Sequence, residues 1–468
     1  MNFAELRFWG YLLLGLAAVV TFRAILRAAR PAVLEKYDRL ALAVLSMFLL
    51  FCVGWLTFLI WLTVAVFTYA GLYWILHSKS AGRRRYLLIL IPLQLGPLLY
   101  YKYSNFLANS VFGLGWDSLR DLVIPVGLSF YTFQKVAFVI DTLAFKEPLP
   151  RFLDYINFVG FFPQIVAGPI ERKRDLLPQM ERFGLRWDAE WINEGVPWIV
   201  LGLFFKMCLA DNLAQWMAPF MKSSDNPFSI WLCNVLFGLR IYYDFAGYSL
   251  VAYGLGRCFG VRLTLNFLSP YCSTNFQEFW RRWHVTLSNW FRDYVYIPLG
   301  GSRVPWWAAN VAIVFVVSGF WHGAGWNFIL WGAMHGAFLI AYRLGGKWKL
   351  PGPIGWLGTM AGAFLAWLCF YETRWPTLLA KLRTLFVPSM YSTANLSATA
   401  NALNSGEQIV LGGLITMAAL TLVMEWLSVR RDNEPFAILR KRPIAAVLVV
   451  LIILLAPGKN NAFIYFAF

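Results

Sequence analysis

Long apolar runs separated by short polar segments fill most of the chain. A helix that crosses a bilayer needs about 20 mainly apolar residues. Apolar runs lie at 8–22, 40–76, 86–101, 122–140, 152–168, 194–210, 228–257, 308–319, 326–343, 353–371, 409–427 and 443–457. The run 308–319 is too short to span a bilayer unless it joins its neighbour. Basic residues flank both ends of 40–76, which predicts a tight hairpin of two helices. The pattern predicts an all-α, polytopic integral membrane protein with about eleven transmembrane helices.

No internal repeat divides the sequence, and a single membrane domain is predicted over residues 1–468. It comprises N-terminal helices (1–85), a core (86–345) and C-terminal helices (346–468). The segment 391–408 is rich in Ser, Thr, Asn and Ala and is predicted to be an exposed loop. The first apolar run lacks a basic leading region, so we expect a retained helix.

Composition supports a membrane protein and argues against several other classes. Hydrophobic residues make up 59% of the chain and charged residues 14%, whereas a soluble protein carries roughly a quarter charged residues. The net charge of +17 comes from short basic clusters between apolar runs, which are typical of cytoplasmic loops and predict no nucleic-acid binding. Six isolated Cys and the absence of H-E-x-x-H, Walker A and G-x-S-x-G predict no metal site and no common hydrolase or ATPase.

Ionisable groups in apolar surroundings are costly and therefore mark candidate sites. The segment 277–297 has an aromatic stripe at helical spacing, with Arg281 and Arg282 opposite it and His284 at its edge. This pattern predicts an amphipathic helix that lies in the interface or dips into a protein-lined cavity. Alternatively, the helix is a peripheral lipid anchor and His284 only packs.

A second polar stretch, 318–342, contains His322 among three glycines and His335 further on. On one continuous helix the two histidines would be separated by about 220°, so they could not share a site unless the glycines break the helix. His322 is the better candidate for chemistry, and His335 is expected to pack. A structural role for His322 stays open.

Two further regions qualify. Asp244 lies deep in an apolar run, where it could orient a histidine, pair with an Arg or be hydrogen-bonded at a helix break. Residues 161–174 contain helix-breaking Pro163, Gly168 and Pro169 before a basic cluster. That segment is either the mouth of a site for an anionic ligand or an ordinary cytoplasmic loop.

Several motifs together resemble the membrane-bound O-acyltransferase family, in particular the bacterial branch that O-acetylates polysaccharides such as alginate and includes teichoic-acid D-alanyl transfer proteins. In chain order they are Pro125–Gln134, Phe161–Ile170, Tyr242–Tyr248, Asn266–Phe267, Phe279–His284, Asp293–Gly301 and Gly319–Gly323. The resemblance implies a ring of tilted and re-entrant helices around a central funnel. It also implies that 86–345 is the acyltransferase core.

The resemblance implies catalytic roles for His322 and His284. The residues that it implies for substrate binding or support are Asp244, Asn266, Trp321, Arg281, Arg282 and Gln134. The implied reaction passes an acetyl group from a cytoplasmic donor, acetyl-CoA or a similar acyl donor, across the bacterial inner membrane. An extracytoplasmic acetyltransferase partner would then decorate a polysaccharide, with no bound cofactor. The alternatives are D-alanyl transfer to teichoic acid, a transporter or flippase, and a scaffold that recruits exported enzymes.

Overall fold

The computed structural model describes residues 2–78, 82–186, 188–346, 350–458, 461, 463 and 464. Its regular structure over these residues is helical, without strands. The α-helices are α1 (Leu6–Ala29), α2 (Leu34–Val53), α3 (Trp55–His77), α4 (Leu87–Leu98), α5 (Leu128–Leu143), α6 (Phe152–Gly160), α7 (Lys173–Glu181), α8 (Ala189–Leu203), α9 (Asp211–Gln215), α10 (Ala218–Met221), α11 (Pro227–Cys258), α12 (Phe276–Arg282), α13 (Val285–Phe291), α14 (Trp307–His322), α15 (Trp326–Leu344), α16 (Gly352–Tyr371), α17 (Trp375–Leu385), α18 (Thr393–Ala400), α19 (Ser405–Asp432) and α20 (Arg442–Leu455). The all-helical prediction is confirmed.

Within the described ranges, five helical segments are long and apolar enough to cross a membrane. They are Leu6–Ala29, Trp55–His77, Ala189–Gln215, Gly352–Tyr371 and Ser405–Asp432. The segment Ala189–Gln215 is continuous because a π-helix, Phe204–Ala210, joins α8 to α9. Two shorter apolar helices, α14 and α20, accompany them. The chain is therefore a multi-pass membrane protein, while eleven crossings around a funnel remain a prediction.

The contacts divide the chain into two compact units. The first comprises Met1–Ile199 and Tyr248–Leu265, and the second comprises Val200–Gly247 and Asn266–Phe468. The predicted single membrane domain with its three regions remains a prediction about the whole chain. The two histidines of interest, His284 and His322, both belong to the second unit.

In the first unit, the long apolar run 40–76 divides at Gly54 into α2 and α3, as its basic flanks predicted. Two charged residues of segment 161–174, Glu171 and Lys173, are buried within this unit. The Glu171 carboxylate accepts two hydrogen bonds from Thr264, one from the backbone N of Thr264 at 2.5 Å and one from its hydroxyl at 3.1 Å. Lys173 Nζ lies 3.6 Å from Glu147 Oε2. Because Glu171 and Lys173 are buried, we assign them to the support of the fold, whereas Arg174 is largely exposed. The choice between a ligand mouth and a cytoplasmic loop therefore stays open.

In the second unit, α14 and α15 form a closely packed pair. A Cβ on Gly319 would collide with the backbone oxygen of Phe328, and one on Gly332 with that of Phe315. Glycine at these positions lets the two helix backbones approach closely, as in small-residue interfaces within membranes. The helix α14 ends at His322, and the extended residues Gly323 and Gly325 precede α15.

The segment 391–408 is not the loop that its composition predicted. Residues Thr393–Ala400 form α18, whose N-cap Ser392 accepts a hydrogen bond from the backbone of Asn395. Asn404 and Glu407 form a capping box at the start of α19. The Ser and Asn residues that suggested a loop are therefore helix caps, where their side chains satisfy the first free N–H groups.

Candidate active site

The predicted amphipathic helix over 277–297 is broken at its most important residue. It divides into α12 and α13, with His284 between them in the left-handed region at φ 43°. The conformation is rare for a residue with a side chain and must be held by its surroundings. Here the Val285 backbone N–H donates to the Asn266 backbone oxygen at 2.9 Å, and Leu268 N–H donates to the Arg282 oxygen at 2.9 Å. The prediction of a continuous helix was wrong, because these hydrogen bonds between the segments 266–268 and 282–285 replace helical ones.

The His284 ring is buried and held by the Asn266 side chain. His284 Nδ1 lies 3.1 Å from Asn266 Oδ1, and the same oxygen accepts from the backbone N and the hydroxyl of Thr286 at 3.2 and 2.9 Å. His284 lies between two helices that are too short to span a membrane. Burial lowers the pKa of His284 from 6.5 to about 3, so the ring is neutral near pH 7.

His322 occupies the last position of α14, where the helix gives way to the glycine segment. Its ring lies edge-to-face with those of Trp321, Trp331 and Phe370, at centroid distances of 4.9, 5.0 and 5.3 Å. The Trp321 ring also lies 6.1 Å from the His284 ring. Aromatic walls of this kind exclude water and fix the plane of the imidazole.

His284 and His322 line one cavity of about 410 Å³ within the second unit. The two histidines come from the segments 277–297 and 318–342, which the sequence analysis treated as separate candidates. Ser288 and Ser318, each one turn from a histidine, also line it. This helical spacing was the signal from which both serines could have been predicted.

His335 lies apart from this cavity lining, on α15. It is fully buried and packs against Trp280 and Trp331, at ring distances of 4.9 and 4.8 Å. Neither of its ring nitrogens has a hydrogen-bond partner among the residues that the structure describes. These surroundings are those of a packing residue.

The described lining of the histidine cavity is cationic. It includes Arg281, Arg292 and Arg343 but no carboxylate. Arg292 directly follows α13, and Arg343 lies near the end of α15. Sequence reasoning left both arginines out of the site. Arg292 is paired with Asp293 at 2.8 Å, while Arg343 lies over the Trp307 ring at 4.1 Å. A cavity lined in this way favours an anionic ligand.

A second, more polar cavity of about 590 Å³ shares Gln277 and Arg281 with the first. Arg282 lines this second cavity and is not part of the lining of the histidine cavity. Its guanidinium contacts Glu278 at 2.9 Å and the Leu268 oxygen at 3.0 Å. Arg281 is thus shared by the two cavities, whereas Arg282 is committed to holding the local backbone.

Asp244 is paired with a lysine that the sequence analysis missed. Lys206 Nζ lies 2.7 Å from Asp244 Oδ1 and 2.8 Å from Asp211 Oδ1. The other Asp244 oxygen accepts from the backbone N of Ile464 at 2.6 Å. All three charged side chains are buried. Asp244 therefore anchors a C-terminal residue and neutralises a buried cation. The signal was a lone Lys inside the apolar run 194–210, which needs a carboxylate partner.

The remaining predicted residue, Gln134, lies on α5 in the first unit. Its Nε2 donates to the backbone oxygen of Phe158 at 3.0 Å. Gln164 donates to the same oxygen at 2.8 Å.

Across the described parts of the chain, no group of three or more His, Cys, Asp or Glu side chains is arranged to hold a metal ion.

Known proteins resemble a large part of this chain. The sequence profile of the membrane-bound O-acyltransferase family matches residues 133–349. A peptidoglycan O-acetyltransferase of Helicobacter pylori is 33% identical over 363 residues, which cover 69% of this chain and 69% of that protein. A probable alginate O-acetylase of Pseudomonas aeruginosa is 33% identical over 410 residues, covering 83% and 76%. A teichoic acid D-alanyltransferase of Streptococcus thermophilus is 30% identical over 242 residues, covering 48% and 58%.

Proposed function

Since the chain belongs to the membrane-bound O-acyltransferase family and is an acyltransferase, we propose that it transfers acetyl groups from cytoplasmic acetyl-CoA for O-acetylation of an exported polysaccharide. The observation that carries the proposal is the cavity lined by both His284 and His322. The names of the peptidoglycan and alginate relatives support the acetyl group and the polysaccharide.

The proposed reaction is attack of an acceptor hydroxyl on the thioester carbonyl carbon. His322 removes the hydroxyl proton as the new C–O bond forms, and the C–S bond then breaks. The departing sulfur takes the proton back from His322, so the ring returns to its neutral state. The aromatic walls around His322 keep bulk water away from the thioester.

The arginines that line the histidine cavity are suited to bind the phosphates of the acyl donor, acetyl-CoA. Coenzyme A carries phosphates, and Arg side chains bind phosphate through paired N–H groups. Arg281, shared by the two cavities, has no acidic partner within the described chain. We assign it to the donor phosphates, with the thioester extending toward the histidines. Basic segments such as 430–431 and 440–442 support a cytoplasmic position for this side of the second unit.

The proposed partner is an exported acetyltransferase, because the donor is cytoplasmic and the polysaccharide is outside the inner membrane. Membranes of the native host therefore provide the right test material. Inverted inner-membrane vesicles, which expose the cytoplasmic face, should transfer label from acetyl-CoA to polysaccharide, whereas sealed right-side-out vesicles should not. The His322→Ala protein, present at equal amount, should give no transfer. Equal labelling in both vesicle orientations would contradict the cytoplasmic donor.

D-alanyl transfer remains the second candidate because a teichoic acid D-alanyltransferase matches this chain at 30% identity. The same vesicles can be supplied with labelled D-alanine and the cytosol that activates it. Incorporation of D-alanine without acetyl would replace the acetyl proposal. Transfer of acetyl by the purified protein would in turn count against a transporter or a scaffold.

A further inference from the structure

The side-chain oxygen of Asn266, at the edge of the candidate site, is the hydrogen-bond partner of three donors. Asn266 Oδ1 lies 3.2 Å from the Thr286 backbone N, 2.9 Å from the Thr286 hydroxyl and 3.1 Å from His284 Nδ1. A backbone N–H can only donate, so the atom that it meets must be the amide oxygen and not the amide nitrogen. The orientation of the Asn266 side chain is therefore determined by Thr286.

The oxygen in turn determines the protonation of His284. An amide oxygen only accepts, so His284 Nδ1 must carry a hydrogen to bond with it. In a neutral imidazole the other nitrogen, Nε2, then has the lone pair. From this geometry we propose that Asn266 is a positioning residue that holds His284 in the Nδ1–H tautomer, leaving Nε2 as the hydrogen-bond acceptor for a reactant in the cavity.

The free-energy cost of burying an unpaired amide N–H group argues against a mere packing role for Asn266. The residue is 1% exposed, and its Nδ2 group has no partner in the part of the chain that the structure describes. A buried donor without a partner is destabilising, and an apolar residue would avoid that penalty. The amide is useful here because of its oxygen, which organises Thr286 and His284 together.

The backbone supports the same role. The Asn266 backbone oxygen accepts from Val285 N–H at 2.9 Å, directly after His284. The residue therefore holds both the left-handed backbone at His284 and the ring orientation. The tautomer follows from this geometry alone. Its kinetic consequence rests on the proposed acyl transfer.

The tautomer can be measured directly in the full-length protein. The chain has only four histidines, so solid-state NMR of protein with ¹³C,¹⁵N-labelled histidine gives few ring signals. A His284→Gln sample identifies the His284 signal by its disappearance. We expect the ring-carbon and nitrogen shifts of a neutral Nδ1–H imidazole at pH 7. A neutral Nε2–H ring or an imidazolium in the unmodified protein would overturn the proposal.

Three variants separate positioning from packing. Asn266→Leu removes the acceptor, and we expect loss of the Nδ1–H signal with a fall in kcat of roughly tenfold or more, as for other histidines that lose the partner fixing their tautomer. Asn266→Asp keeps an oxygen acceptor and should retain the signal. Asn310→Leu is the matched control, because Asn310 is a buried amide of the same unit that binds Leu299 and Gly301 backbone oxygens.

The proposal fails if Asn266→Leu keeps the Nδ1–H signal, or if its kcat falls no further than that of Asn310→Leu. If Asn266→Leu does not fold, the unmodified protein and Asn266→Asp still decide the tautomer. Should the native membranes show no acetyl transfer, the proposed function fails while the tautomer result stands.

Discussion

Removing the positive charge of Lys206 should be among the most destabilising single changes in the second unit. Lys206→Met would leave Asp211 and Asp244 buried, at 2% and 3% side-chain exposure, without their cation. At the observed 2.8 and 2.7 Å, each attraction is about 6 kcal/mol before desolvation if the effective dielectric constant is about 20. Desolvation offsets much of this attraction, and breaking a buried pair typically costs about 3–5 kcal/mol.

The free energy of unfolding can be compared by titration with SDS in mixed detergent micelles, followed by tryptophan fluorescence. Lys206→Met should lose at least about 3 kcal/mol relative to the unmodified protein. Asp244→Asn keeps one acceptor oxygen, for either Lys206 or Ile464 N–H, and leaves Asp211 as the carboxylate partner of Lys206. It should therefore lose less than Lys206→Met, about 1–3 kcal/mol. Adding Asp211→Asn and Asp244→Asn to Lys206→Met should recover part of the loss. A loss below about 1 kcal/mol in Lys206→Met, the size expected for an exposed ion pair, would show that these two buried pairs do not stabilise the second unit.

Three other predictions concern the residues around the cavity. Gly323→Ala would place a methyl group against the Phe328 ring; we expect destabilisation by about 1–3 kcal/mol, measured by the same SDS titration, and an unchanged unfolding midpoint would contradict the packing. His335→Phe should retain at least half the acetyl transfer per folded protein, because His335 packs among aromatic rings; complete inactivity of a folded variant would give it a chemical role. Burial lowers the pKa of His284 from 6.5 to about 3, so its stabilising contribution is fully present above pH 6.5 and is lost as the pH falls toward 3. The unfolding free energy of His284→Gln should therefore fall less steeply over that range than that of the unmodified protein, and equal slopes would contradict the assignment.

Hydrophobic pattern predicted much of the fold because a membrane helix needs a long apolar run whatever its neighbours are. The helices α3, α16 and α19 match runs read from the sequence. The division of 40–76 followed from the charges at its ends. Helix caps near 391–408 were mistaken for loop residues, because Ser and Asn favour both positions.

Local periodicity could not predict the geometry at His284. A helical projection assumes a continuous helix, whereas Asn266, remote in sequence, bonds to Val285 and His284 and turns the chain out of the helix. The same limit applies to Lys206, whose partner Asp244 lies 38 positions further along the chain. The glycines around His322 did suggest a break, and α14 does end there.

We propose that His322 carries out acyl transfer in the cavity that it lines together with His284. The most direct measurement is the acetyl content of the exported polysaccharide in the native strain carrying His322→Ala, at a confirmed normal protein level in the membrane. We expect acetylation to be abolished in this strain, whereas His335→Phe in the same background should leave it largely intact. Normal acetylation in the His322→Ala strain would exclude His322 as the residue that carries out acyl transfer.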